Sequence, residues 1–172
     1  MMGYLKYKTV YLCGNIQRTQ TSDFGTGWRD EITPTLRKMF NVKVINPCTQ
    51  GIGDTASEQK RYMKMIKDRD FKGLKSLFYR VIRKDLRAVD KADFLIFYHF
   101  PNLPTVGSIH EIINAVNQKK PVLVVVKESL IDQLNPWLLT LIKPQWLFTS
   151  FDDMYAYLKK INSGDIDSSH WW

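Results

Sequence analysis

The chain has 172 residues, 44% of them hydrophobic, which is enough for one domain with a full core and too few for two comfortable ones. No apolar run approaches the roughly 20 residues that cross a bilayer, and the start, MMGYLKYKTVYL, lacks the apolar segment and cleavage site of a signal peptide. The expectation is a single-domain cytoplasmic protein with no membrane contact.

The net charge of +8 is local. Between Lys60 and Lys91 stand twelve Lys or Arg against Asp68, Asp70, Asp85 and Asp90, and the rest of the chain is neutral. Such a stretch is either a solvated helix face or a surface that attracts phosphate-bearing ligands. No helix-turn-helix, zinc-finger or RNP pattern accompanies it, so a nucleic-acid reader is not favoured. Cys13 and Cys48 fit no C-x-x-C spacing and read as buried reduced thiols, and the three histidines are scattered, so no metal site is expected.

In chain order, residues 8–13 (KTVYLC) form a β-branched and aromatic run entering the turn Gly14-Asn15, a first strand. Residues 17–27 are polar with two glycines, a loop. Trp28, Ile32, Leu36 and Phe40 recur at steps of four, an amphipathic helix in which Pro34 predicts either a kink or a start near Thr33. Residues 41–46 (NVKVIN) are a second strand closed by Pro47, followed by a glycine-containing loop. Residues 56–75 predict a charged surface helix or lid, and Leu77, Val81, Ile82, Leu86 and Val89 a second, strongly amphipathic helix that delivers Asp90 and Asp93 to the next strand.

Residues 93–126 organise the rest. Phe94 to Tyr98 is an apolar strand, Ile109, Ile112, Ile113 and Val116 lie at helical spacing, and Val122 to Val126 is another strand. Two strands joined through a helix lie parallel. A helix near 135–141, a short strand near 146–148, a last helix over 152–161 and a polar tail ending in Trp171-Trp172 complete the chain. The alternation predicts an α/β doubly wound, flavodoxin- or Rossmann-like three-layer sandwich with about five parallel strands. Ligands of such sheets sit beyond the carboxyl ends of the strands, here at the 98–107 loop, and one carboxylate stands there, Glu111. Ser108 and Glu111 also fit a capping box, and helical spacing turns Glu111 away from the sheet. Gly107, lacking a side chain, lets a ligand approach closely.

Residues 8–16 (KTVYLCGNI), then Asn46-Pro47, Asp85-Leu86, Ala92-Asp93, and Val106-Gly107 with Glu111 four residues after the glycine, carry a resemblance in that order. Together they resemble the nucleoside 2-deoxyribosyltransferase superfamily, which includes the 2′-deoxynucleoside 5′-phosphate N-hydrolases. The resemblance runs from about residue 8 to residue 126. It implies the same doubly wound fold and cleavage of an N-glycosidic bond, with Glu111 as nucleophile on the anomeric carbon and Tyr11 orienting its carboxylate. A carboxylate can capture the oxocarbenium-like sugar as a covalent glycosyl-enzyme. A second base then gives transfer, and water gives hydrolysis.

The resemblance places Asp85 near the substrate, where a protonated carboxyl would assist the leaving base; the competing reading is an acid balancing Arg83, Lys84 and Arg87. Tyr11 can equally be a buried aromatic with a satisfied hydroxyl. Backbone amides of Gly14, Asn15 and Ile16 would face the sugar or a phosphate. Trp28 and Arg29 could stack on a base and grip a phosphate, or be core and a surface ion pair. The transferases carry an aspartate where this chain has Thr105, and the nucleotide hydrolases a serine. Thr105 with Ser108 would suit a 5′-phosphate, or Thr105 is a plain helix cap. No cofactor is implied. The expected partner is a small-molecule nucleoside or nucleotide, and the resemblance implies a homo-oligomer of two or more copies, to which Trp171 and Trp172 could contribute. The alternative functions are a dedicated monophosphate N-glycosidase and a non-catalytic nucleotide or nucleic-acid binding module using residues 60–91.

Overall fold

Three apolar runs supply strands that are buried on both faces, which is why they read as continuous hydrophobic segments. In the computed structural model, which describes residues 3–16, 26–49, 56–169 and 171, these are β1 (Thr9–Gly14), β3 (Phe94–His99) and β4 (Val122–Val126). Shorter strands β2 (Lys43–Ile45) and β5 (Leu147–Phe148) close the edges. All pairings are parallel, in the order β2-β1-β3-β4-β5. The chain runs outward from β1 to β2 and then crosses back to β3. This leaves a topological switch point between β1 and β3, where Gly14 pairs with Tyr98.

The helices are α1 (Gly27–Phe40), α2 (Ala56–Lys67), α3 (Phe71–Lys91), α4 (Val106–Asn117), α5 (Pro136–Leu141) and α6 (Phe151–Ser163). Strand side chains alternate between two cores. Val10 and Leu12 of β1 face Ile32, Leu36, Met154 and Leu158 of α1 and α6. Tyr11 and Cys13 point the other way, into the core shared with Val89 of α3 and Ile112 and Ala115 of α4. Each fully buried aliphatic side chain here contributes about 1.5–3 kcal/mol from removal of apolar surface from water.

Helix ends follow local chemistry. Asp70 accepts from the Gly73 amide at 2.9 Å to start α3, Ser150 accepts from Asp153 at 3.1 Å to start α6, and Gly164 ends α6 in the left-handed region at φ 85.

The structure corrects three expectations. α1 begins at Gly27 and continues through Pro34, so no late start near Thr33 occurs; proline here only removes one exposed helix bond. The predicted surface helix over 56–75 is two pieces, because Arg69 adopts φ 57 and Asp70 caps a new helix. α3 then runs unbroken from Phe71 to Lys91. α2 is anchored on α3 by Tyr62 against Phe78 at 4.9 Å between ring centroids. Third, Trp171 is buried, with its ring 5.2 Å from that of Phe94, so it belongs to this chain's core and is not available to a second copy. Residues 17–25 and 50–55, expected to be loops, and Trp172 lie outside the described residues.

Candidate active site

The carboxyl ends of β1 and β3 open into a cavity of about 450 Å³, within the range of small-ligand sites. Three segments line it. The turn after β1 supplies Gly14, Asn15 and Ile16; α3 supplies Phe78, Val81, Ile82, Asp85 and Leu86; and the start of α4 with the residues before it supplies Pro104 to Ser108, His110 and Glu111.

Glu111 sits at the base of this cavity with each carboxylate oxygen engaged. The Tyr11 hydroxyl donates to Oε1 at 2.8 Å, and the Cys13 thiol lies 3.0 Å from Oε2. Both donors come from the same face of β1, two residues apart. Burial pushes the Glu111 carboxyl up to about 7, and the negative charge of Asp85 adds to that, while the Cys13 and Tyr11 bonds and the Arg29 charge oppose it. Burial first, and the charge of Glu111 next, hold the Tyr11 phenol and the Cys13 thiol protonated, well above their ordinary ranges. The arrangement is a carboxylate fixed in orientation and poised to ionise near neutrality.

Glu111 does not face away from the sheet, and the capping box with Ser108 does not form. The buried side of α4 is Ser108, Ile112 and Ala115, whereas Ile113 is exposed. Small side chains at Ser108 and Ala115 let the helix lie with Glu111 turned toward β1, a geometry that weighting by hydrophobicity alone misses. Thr105 occupies the cap position, but its side chain makes no capping bond and borders the cavity.

Gly14 and Gly107 differ in why they are glycine. A Cβ on Gly14 would meet Trp28 Cζ2 and the Tyr98 carbonyl at 3.0 Å, with φ at 157. A Cβ on Gly107 would meet nothing within 4 Å. Packing therefore demands the first glycine, whereas only an occupant of the cavity would feel a side chain at the second.

Of the sequence-predicted residues, Gly14, Asn15, Ile16, Asp85, Thr105, Gly107, Ser108 and Glu111 converge on the cavity, and Tyr11 reaches it through Glu111. Trp28 and Arg29 do not line it. Trp28 packs between Tyr98 and Phe151 at 5.4 and 6.0 Å. Arg29 is 0% exposed and donates to the backbone carbonyls of Leu12, Gly14 and Asn15 at 3.2, 2.9 and 3.5 Å. It lies inside the fold, not on its surface, and braces the β1 turn. Asp85 lies 3.5 Å from Lys84 Nζ, and the Asn15 amide nitrogen donates to the Pro104 carbonyl at 3.2 Å, tying the β1 turn to the loop before α4.

Sequence reasoning read Cys13 as a buried reduced thiol but missed its contact with Glu111, and missed the apolar wall of Phe78, Val81 and Ile82. The period-2 pairing of Cys13 with Tyr11 was a usable signal. The wall had none, since its residues match an ordinary packing stripe.

The geometry defines a flavodoxin-type parallel α/β domain with a half-buried acid at its switch point. Two solved structures share this fold. One is a 2-deoxyribosyltransferase from Bacillus psychrosaccharolyticus, with a TM-score of 0.54 at 16% identity, covering 87% of this chain and 95% of that one. The other is a conserved protein from Enterococcus faecalis V583, with a TM-score of 0.58 at 17% identity, covering 90% of this chain and 98% of that one. No family model matches the chain, and no curated protein sequence does.

Proposed function

We propose that this protein cleaves the N-glycosidic bond of a 2′-deoxynucleoside or its 5′-monophosphate through Glu111, passing the deoxyribosyl group to another base or to water. The observation that carries the reading is the Glu111 carboxylate held by Tyr11 and Cys13 at the base of the cavity. A nucleophilic carboxylate must be aimed and partly shielded from water, and the Tyr11 and Cys13 bonds and the cavity wall support both, while a carboxyl near 7 is ionised in part at neutral pH. The fold shared with a 2-deoxyribosyltransferase supports the same chemistry.

In this reading Tyr11 fixes the carboxylate and the apolar wall of α3 receives the base. Asp85, bordering the same cavity, attends the leaving base. Gly107 admits the sugar, and Thr105 and Ser108 at the start of α4 face the 5′ side, where helix amides favour an anion. A hydroxyl at Thr105 in place of a second carboxylate favours the monophosphate, which makes a dedicated monophosphate N-glycosidase the nearest alternative.

The test is chromatography of wild type and Glu111→Ala with the four deoxynucleosides and four deoxynucleoside monophosphates, each with and without a second free base. Glu111-dependent release of base is expected. A new nucleoside formed only with added base identifies transfer, and release without exchange identifies hydrolysis. Base release that survives Glu111→Ala overturns the reading.

A second reading rests on the positive stretch, which the structure places on α2 and on the exposed residues Lys72, Lys75, Arg80, Arg83 and Arg87 of α3. It is a binding module for polyanions, and single-stranded nucleic acid bound with an affinity that does not fall as salt rises would remove it.

A further inference from the structure

Cys13 has one proton and two acceptors. Its Sγ lies 3.0 Å from Glu111 Oε2 and 3.6 Å from the backbone carbonyl of Ser108, and the residue is completely buried. Tyr11 holds the other carboxylate oxygen, Oε1, at 2.8 Å. The two oxygens of Glu111 are therefore not equivalent. One is anchored by a phenol, a strong donor whose acceptor here is the carboxylate; the other is held by a thiol, a weak donor that has a second acceptor within reach.

This asymmetry decides how the carboxylate can react. Attack through Oε1 would turn the phenol's charged acceptor into a neutral ester oxygen, in a buried place where water does not replace the lost interaction. Attack through Oε2 asks only that a weak S–H bond turn toward the Ser108 carbonyl. A serine at this position would hold the oxygen with a stronger O–H donor and release it less readily.

The geometry points to Oε2 as the attacking oxygen of Glu111 and to Cys13 as its positioning residue, a latch that donates to Oε2 at rest and swings to the Ser108 carbonyl as Oε2 bonds to the sugar. This rests on the nucleophilic role proposed for Glu111. In the step, the bond from Oε2 to the anomeric carbon forms as the bond from that carbon to the base nitrogen breaks. The base leaves with the electron pair and takes a proton from water, and Cys13 keeps its own proton throughout. Burial, which raises the thiol well above its ordinary range, suits a group that donates and never ionises.

The test compares wild type, Cys13→Ala and Cys13→Ser by two readouts. In steady-state kinetics, Cys13→Ala is expected to lower kcat about tenfold, equivalent to about 1.4 kcal/mol, with KM within about twofold. Cys13→Ser is expected to keep the acid limb of the pH profile at or below that of wild type while still turning over more slowly. The second readout is carbon NMR of enzyme labelled at the glutamate carboxyl, with the Glu111 resonance identified by its loss in Glu111→Gln. Its titration midpoint is expected to rise by about half a pH unit or more in Cys13→Ala, since a bond to the charged form is lost, and not to rise in Cys13→Ser. An unmoved midpoint in Cys13→Ala, in an enzyme that still releases base, overturns the latch and leaves the proposed function standing. A wild-type enzyme that releases no base from any substrate overturns the function and, with it, attack through Oε2. Cys13→Ser faster than wild type would overturn the argument from weak donation.

Discussion

The Tyr11 hydroxyl donates a 2.8 Å hydrogen bond to Glu111 Oε1 across 100 residues of sequence. The strand and the helix meet there because β1 and β3 are neighbours and α4 follows β3 directly. Tyr11→Phe keeps the ring and removes the donor. We expect kcat to fall by about tenfold to a hundredfold, the equivalent of losing a hydrogen bond to a charged group. The acid limb of the pH profile should also move upward, because the lost bond favoured the ionised form. A variant with wild-type kcat would show that the contact does not orient the carboxylate.

Glu111 should make stability depend on pH. Its carboxyl is pushed up to about 7, above its value in the unfolded chain, so the fold binds the proton more tightly. Its contribution is fully present below about pH 4.5 and lost as pH rises through 7, where the ionised, half-buried group costs on the order of 3 kcal/mol. Glu111→Gln cannot ionise. The gain in Tm of this variant over wild type should be about 5–10 °C larger at pH 8 than at pH 5, measured by thermal melts at both. An equal difference at the two pH values would contradict the burial of the charge.

His99 should act from the acid side. Burial lowers its imidazole to about 4, its ring lies tilted against that of Phe97 with centroids 4.7 Å apart, and Nδ1 has no partner among the described residues. The folded value is below the unfolded one, so its contribution is present above about pH 6.5 and lost as pH falls through 4, by on the order of 3 kcal/mol. His99→Leu should flatten the decline in Tm between pH 6.5 and 4. An identical decline in the variant would show that His99 charges without penalty.

Gly107→Ala separates packing from ligand contact. The added Cβ meets no protein atom, and alanine in a helix is favoured over glycine by about 0.5–1 kcal/mol, so thermal stability should hold or rise slightly. The KM for substrate should nonetheless rise severalfold, because Gly107 lines the cavity. Unchanged kinetics would place the substrate elsewhere.

Arg29→Lys should be severely destabilising despite keeping the charge. The guanidinium serves three carbonyls of the β1 turn, and an ammonium on a flexible stem lacks that fork geometry. A loss of about 3 kcal/mol or more in denaturant unfolding is expected, the scale of breaking a buried polar network. A loss below about 1 kcal/mol would mean that the turn holds without it.

Much of the architecture was legible because its signals are local. Residues 93–126 announce a parallel pair through two apolar strands around a helix, and β1 and β2 read from β-branched runs punctuated by Gly14 and Pro47. The break between α2 and α3 was not legible, since Arg69 in the left-handed region carries no signature that its neighbours lack.

What the chain determined by itself is the order of strands and helices, and hence that a carboxylate would stand at the carboxyl edge of a parallel sheet. Periodicity and turn chemistry act within a few residues and survive without tertiary context. Only the tertiary structure decided which way Glu111 points, that Cys13 shares it with Tyr11, and that Arg29 is an internal brace. Those outcomes depend on how closely α4 and α1 approach the sheet. That distance is set by small side chains such as Ser108 and Ala115 and by the crowded glycine at Gly14, whose effect appears only when distant segments are packed together.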